Sequence, residues 1–208
     1  NTRCGMFLLN HCNQNTITSN TITSNEASGL ILENSSINTI SSNTVSSNTQ
    51  YGVMISGSNN ELTSCTITSN EQHGVFLFGD DNTIVQSNTI YSNTYEGIRA
   101  YNASDDTIKS NSIYSNGRYG VYFDYFTYQN LIYNNKIYAN TVQNAMDKST
   151  NNRNQWNRSK IAGTNILNGD YLGGNYWNDY YGIDTDDDGL GDTSYQIFAS
   201  NYDHLPLI

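Results

Sequence analysis

Six glycines punctuate this chain at almost equal steps. Gly5, Gly29, Gly52, Gly74, Gly97 and Gly120 are separated by 24, 23, 22, 23 and 23 residues, and Asn144 takes the next place after a further 24. A period of that size constrains the fold more than any other feature, because each unit can bury its apolar face only against the units on either side. Behind each glycine the residues alternate, as in Gly29-Leu-Ile-Leu, Gly52-Val-Met-Ile and Gly74-Val-Phe-Leu, and a period of two is the pattern of a half-buried strand. Two further apolar columns follow: Ile17, Ile40, Leu62, Ile84, Ile108 and Ile132, then Ile22, Val45, Ile67, Ile90, Ile113 and Ile137. Three short strands per unit, with no stretch of helical length, predict an all-β parallel β-helix (solenoid) of about seven coils over residues 1–160. Residues 161–208 read as a C-terminal capping segment with an acidic loop. The missing leucine consensus argues against a leucine-rich horseshoe.

Stacked coils account for asparagine being the commonest residue, at 33 of 208. One column holds Asn20, Asn43, Cys65, Asn88, Asn111 and Asn135, a second Asn25, Asn48, Asn70, Asn93, Asn116 and Asn140, and a third Asn15, Asn38, Asn60, Asn82, Asp106 and Asn130. An amide carries donors and an acceptor, so a ladder of amides can satisfy itself along the stack. Polarity supplied this way leaves few charges. The net charge is −10 with only nine Lys plus Arg, too few and too scattered for a phosphate backbone, so nucleic acid is not an expected partner. No apolar run is long enough for a membrane span, and the start at Asn1 points to processing or truncation. Cys4, Cys12 and Cys65 are either small buried hydrophobes or cross-links to another chain.

A glycine, an alternating strand and then Asn-x-Ile-x-x-Asn resemble the right-handed parallel β-helix repeats of the NosD and carbohydrate-binding/sugar-hydrolase type. The tail, Gly174-Asn-Tyr-Trp-Asn-Asp-Tyr followed by Gly182-Ile-Asp-Thr-Asp-Asp-Asp-Gly-Leu-Gly-Asp, resembles the closing motif of NosD-like domains in surface proteins of methanogenic archaea. That resemblance implies an exported, extracellular protein of the cell envelope. NosD itself is linked to copper-site maturation, but this chain shows no Met- or His-rich cluster.

Within the tail, Asp184, Asp186, Asp188 and Asp192 have a spacing that turns alternate carboxylates toward one point, and Leu190 can add a carbonyl. These hard oxygens suit a structural Ca²⁺; a solvated turn held by Asx hydrogen bonds is the alternative. Tyr195 stands where an EF-hand needs glutamate, so a complete EF-hand is absent. Trp156, Tyr176, Trp177, Tyr180 and Tyr181 are expected to cover the last coil. For catalysis, Asp80, Asp81, Asp105, Asp106 and Asp124, with Arg99 and Lys109, fall near one corner, where turn chemistry explains them, and His11, His73 and His204 are dispersed. No catalytic residue is assigned, and the chain reads as a non-enzyme.

Alternation sends Phe7, Ile31, Met54, Phe76, Arg99 and Tyr122 outward in one column and Thr23, Ser46, Thr68, Tyr91, Tyr114 and Tyr138 in another. The first is an apolar stripe that marks an interface unless the tail folds over it. With an open first coil and the cysteines, it favours copies of the chain as partners, assembled end to end and laterally into a sheath or surface layer. A carbohydrate-binding or polysaccharide-degrading module at the cell surface is the alternative, with cell-surface polysaccharide as partner. Sequons at Asn34, Asn102 and Asn157 offer candidate glycosylation sites on an exported chain.

Overall fold

The computed structural model describes residues 3–79, 81–150 and 154–208. It is a parallel β-helix with three walls. Sheet A stacks seven strands: Met6–Leu9, Leu30–Glu33, Val53–Ser56, Val75–Phe78, Ile98–Tyr101, Tyr119–Phe123 and Gln143–Asp147. Sheet B stacks six, from Thr16–Thr18 to Leu131–Tyr133, and sheet C runs from Thr21–Thr23 to Lys136–Tyr138 and gains Tyr176–Trp177 from the tail. Every pairing between coils is parallel, and Phe7, Ile31, Met54, Phe76, Arg99, Tyr122 and Met146 face one another in a single register. The strands alternate because their inward members fill a narrow tube: Leu30, Leu32, Val53, Ile55, Val75 and Leu77 are fully buried.

The repeat glycine is required by close approach. A Cβ on Gly97 would lie 2.7 Å from the Gly120 carbonyl oxygen and 2.6 Å from Ile113 Cγ2. Asn144 occupies the same position in the last coil without that conflict, because no further glycine carbonyl lies above it; its amide instead donates to Asn178 and Asp179. Corners turn at serines in the left-handed region, as at Ser19, Ser42 and Ser64 (φ 53–57°).

The asparagine columns form hydrogen-bonded ladders inside the wall. Asn88 donates its backbone N–H (2.9 Å) and its amide (3.0 Å) to Asn111 Oδ1, and the same amide donates to the Leu62 carbonyl at 2.9 Å. Two positions differ from the sequence reading. Val85, not Ile84, is the inward residue of coil four, and Thr83, not Asn82, stands in the third ladder, where it donates its N–H to Asp106 Oδ1 at 2.8 Å. Coil four carries one more residue than coil three between its first and second strands, so counting forward from the glycine lands one residue early.

The tail closes the last coil with two indoles on two buried carboxylates. Trp156 Nε1 donates to Asp147 Oδ2 and Trp177 Nε1 to Asp203 Oδ2, both at 2.9 Å. Tyr195 stacks on Trp177 at 4.5 Å between ring centroids. Tyr181, expected in this cap, is instead 90% exposed. The tail does not cover the apolar stripe: it packs against the open side of the last strand of sheet A, where Gln143 donates to the Ile197 carbonyl, and Phe7 remains 50% exposed.

Candidate functional site

The residue just before each repeat glycine begins a column on the outside of sheet A. Backbone hydrogen bonds from Gly52 to His73, Gly74 to Glu96 and Gly97 to Tyr119 place Tyr51, His73, Glu96 and Tyr119 directly over one another. Side chains 23 residues apart thereby come into contact. His73 Nδ1 lies 2.6 Å from Glu96 Oε2, and Arg118 Nη1 lies 3.8 Å from Glu96 Oε1. Tyr51 stacks on His73 with 5.4 Å between centroids, and Phe76 and Tyr95 close in at 5.6 and 5.9 Å. Burial works to raise the Glu96 carboxyl, but His73, and beyond it the Arg118 charge, hold it below the ordinary carboxylate range.

Tyr51, Gln72, His73, Phe76, Tyr95, Arg99 and Arg118 together line a groove of about 440 Å³. Toward the last coil the same wall continues with charge on aromatic faces. The Arg99 guanidinium lies 5.3 Å from the Tyr122 ring while bonding Asp124 at 3.0 Å, Arg118 lies 5.8 Å from Tyr95, and Lys148 lies 5.5 Å from Tyr122 and 5.9 Å from Tyr125. The Tyr122 hydroxyl pushes the Lys148 ammonium up from its ordinary value. Aromatic faces beside cations, around a shallow groove, suit an extended ligand with apolar ring surfaces and negative groups.

The sequence-predicted residues distribute as follows. Phe76 and Arg99 line the groove, Tyr122 extends it, and Phe7, Ile31 and Met54 continue the column toward the first coil. Tyr91, Tyr114 and Tyr138 form a separate stack on sheet C, with centroids 5.0 and 4.9 Å apart. Of the corner carboxylates, Asp124 reaches the wall through Arg99, Asp81 bonds Ser104 (3.3 Å), Asp106 belongs to the ladder, and Asp80 lies outside the described residues. Asn34 and Asn102 are exposed at corners, whereas Asn157 Oδ1 accepts the His204 N–H. Cys4 and Cys12 are half-buried. Cys65 sits inside the ladder at 1% exposure, where burial pushes its thiol up, out of reach of another chain. Sequence reasoning missed the His73–Glu96 pair, because alternation after the glycine does not reach it; the position before the glycine, occupied by Tyr51, His73 and Glu96, carries the signal.

In the acidic loop, the carboxylate oxygens of Asp184, Asp186 and Asp188 come within 4.8 Å of one another, the only such gathering of three His, Cys, Asp or Glu among the described residues. Asp188 pairs with Lys160. Asp184 accepts the backbone N–H groups of Asp188 (3.1 Å) and Gly189 (2.7 Å), and Asp192, outside this gathering of three, accepts that of Thr185 at 2.7 Å. Leu190, the fourth expected ligand residue, is buried, and its N–H donates to Asp188.

The sequence profile of the family described as periplasmic copper-binding protein (NosD) matches residues 8–182. The chain belongs to the NosD family. Among curated proteins nothing matches. Solved structures similar to this NosD-family chain include the periplasmic alginate epimerase AlgG, at 18% identity and a TM-score of 0.66 over 71% of this chain, and the A-module of the mannuronan C-5 epimerase AlgE4 of Azotobacter vinelandii, at 21% identity and 0.58 over 68%. The chain spans about two fifths of each, 40% and 39%. At such identity the likeness shows the fold. It also corrects the non-enzyme assignment, because both of these β-helices are enzymes and the fold gives that assignment no support.

Copper, implied by the family description, does not fit the residues present. The three gathered carboxylates are hard oxygen donors where copper takes imidazole, thiolate and thioether, and Met54 and Met146 stand four coils apart. Among the described residues no helix is long and apolar enough to cross a membrane.

Proposed function

We propose that this NosD-family chain binds an acidic polysaccharide along sheet A, outside the cytoplasm. One observation carries the reading: in a chain of net charge −10 with nine cations, Arg99, Arg118 and Lys148 gather on one wall, each against a tyrosine ring. A sugar ring presents an apolar face to an aromatic side chain, and a uronic carboxylate pairs with a guanidinium, so both halves of the ligand find partners. The epimerases of similar fold are named for alginate and mannuronan, acidic polymers, and the family description and AlgG are both periplasmic, which supports the ligand class and the extracytoplasmic location. Affinity electrophoresis in gels containing polymannuronate or neutral dextran tests it. Retardation by the acidic polymer alone, reduced in Arg118→Ala and Lys148→Ala and weakened by salt, is expected; equal mobility in both gels sinks the reading.

A second reading, lateral assembly of copies through Phe7, Ile31 and Met54, rests on the stripe being left uncovered by the tail. Sedimentation of Phe7→Lys against the parent tests it: a stripe that joins copies gives smaller species in the variant. The acidic loop is the proposed seat of a structural Ca²⁺ on Asp184, Asp186 and Asp188, with Lys160 as the group the ion displaces.

A further inference from the structure

His73 in the groove and the buried Glu96 against it have no task in binding alone. Glu96 is 1% and His73 7% exposed, and a buried ion pair adds little stability that well-packed apolar residues would not also give. No equivalent position in the other coils repeats the pair: Cys4, Ser28, Tyr51, Tyr119 and Gln143 stand there. The pair occurs once, beside Arg118, where the groove is lined by aromatic rings. Buried titratable groups that meet a specific charge partner in a cleft have the physical character of a functional site.

We propose that His73 takes the proton from the ring carbon next to the carboxylate of an acidic sugar bound in this groove, with Glu96 holding the imidazole and Arg118 the sugar carboxylate. The proposal rests on the acidic-polysaccharide reading. The Glu96 carboxylate, 2.6 Å from Nδ1 but off hydrogen-bond alignment, favours by its charge the tautomer with a proton on that nitrogen and leaves Nε2 as the acceptor. The C–H bond breaks, its proton goes to Nε2, and its electron pair moves into the carboxylate, giving an enediolate dianion. Arg118, with 51% of its side chain exposed, is the cation placed to hold that charge. The imidazolium formed on His73 lies against the Glu96 carboxylate. On reversal the electron pair returns to the carbon, which takes a proton back, so no bond of the polymer is cut and no oxidant or second substrate is used. His73 is the catalytic residue in this scheme, and Glu96 a positioning residue that acts through it.

The test is exchange in D₂O. The full chain is incubated with polymannuronate or polygalacturonate, and deuterium at the carbon next to the carboxylate is read by proton NMR. Incorporation into either polymer, with chain length unchanged, is expected. His73→Ala should lower the rate about 100-fold or more, the range of a lost general base, and added imidazole should restore part of it. Glu96→Gln should lose exchange while Glu96→Asp keeps a portion, a contrast that a merely structural carboxylate would not produce. Arg118→Leu alters an exposed side chain, retains the fold by circular dichroism, and should also depress the rate. Retention of polymer on an affinity gel without deuterium incorporation overturns the proton-transfer proposal and leaves the binding reading standing. Undiminished exchange in His73→Ala, or chain scission with unsaturated ends, overturns it too. Absence of retention on either polymer defeats the binding reading, and this proposal with it.

Discussion

Replacing Cys65 by asparagine should make the protein more stable, an outcome few substitutions at a fully buried position produce. Cys65 interrupts the ladder that runs from Asn20 to Asn135. One coil before it, Asn43 offers its backbone N–H and amide to sulfur at 3.4 and 3.9 Å, while one coil after it Asn88 makes the same two bonds to oxygen at 2.9 and 3.0 Å. In Cys65→Asn the new Oδ1 takes both Asn43 donors, and the new amide donates to the Ile40 carbonyl and to Asn88 Oδ1, repeating what Asn111 does to Val85 and Asn135 at 2.9 Å each. Four N–H···O bonds replace weak bonds to sulfur. At a net of about 1 kcal/mol per bond, reduced by the weak sulfur bonds they replace and by the cost of burying and ordering a larger polar side chain, a gain of about 1–2 kcal/mol remains. For a chain of this length that is a rise of about 3–6 °C in the thermal midpoint, read by far-ultraviolet circular dichroism. Asn111→Cys should lose a similar amount. Asn88→Ala leaves the Cys65 N–H and the Leu62 carbonyl without their partner and should cost about 3–5 kcal/mol. A midpoint unchanged or lowered in Cys65→Asn, with the fold intact, would refute the idea that the amide ladder stabilises the stack through its own hydrogen bonds.

Three further outcomes follow from particular contacts. Gly97→Ala should destabilise by about 2–3 kcal/mol, because the neighbouring carbonyl at 2.7 Å cannot swing aside; a denaturation midpoint within error of the parent contradicts the close-approach explanation. Burial pushes the Asp203 carboxyl up to about 7, so between the ordinary value near 4 and pH 7 the folded protein holds one more proton than the unfolded chain, and stability falls as pH rises through that window. The stability difference between the parent and Asp203→Asn, followed by tryptophan fluorescence, should therefore shift against the parent from pH 4 to 7, by up to about 4 kcal/mol at about 1.4 kcal/mol per pH unit; a difference independent of pH rejects this assignment. Ca²⁺ should raise the thermal midpoint, Lys160→Ala should bind the ion more tightly by calorimetry because its ammonium no longer competes for Asp188, and Asp186→Asn should abolish the effect.

Much of the fold was legible because a solenoid writes its geometry as spacing. The interval between glycines gave the coil, alternation gave the inward residues, and the asparagine columns gave the ladders. The exceptions arose where a coil gains a residue. Val85 rather than Ile84 faces inward, and the signal for it was present, since the inward residue lies three before the next ladder member throughout, as with Ile40 and Asn43, Leu62 and Cys65, and Val85 and Asn88. The cap was less legible. Its aromatic residues could be anticipated, but the pairing of Trp177 with Asp203, 26 residues on, belongs to no period. The groove was partly legible: Phe76, Arg99 and Tyr122 were named as an outward column, whereas His73 and Glu96 are chemically related only through the vertical register.

That register also separates structural columns from chemical ones. A column inside a stack is most readily stabilised by repetition, because like residues at about 4.8 Å satisfy one another whether they are amides, aliphatics or tyrosines. The ladders follow that rule almost without exception. The column before the glycines departs from it: Cys4, Ser28, Tyr51, His73, Glu96, Tyr119 and Gln143 are seven residues of six kinds. Stacking alone does not favour a histidine over a glutamate in the wall, since apolar replacements would pack as well without the desolvation of two ionisable groups. Variation in this column and in the neighbouring outward column of Phe7, Ile31, Met54, Phe76, Arg99, Tyr122 and Met146, flanked by repetition in the ladders, therefore identifies the part of the wall whose residues answer to something outside the stack. In this protein the groove lies at that place, with Arg118 and Arg99 on its rim.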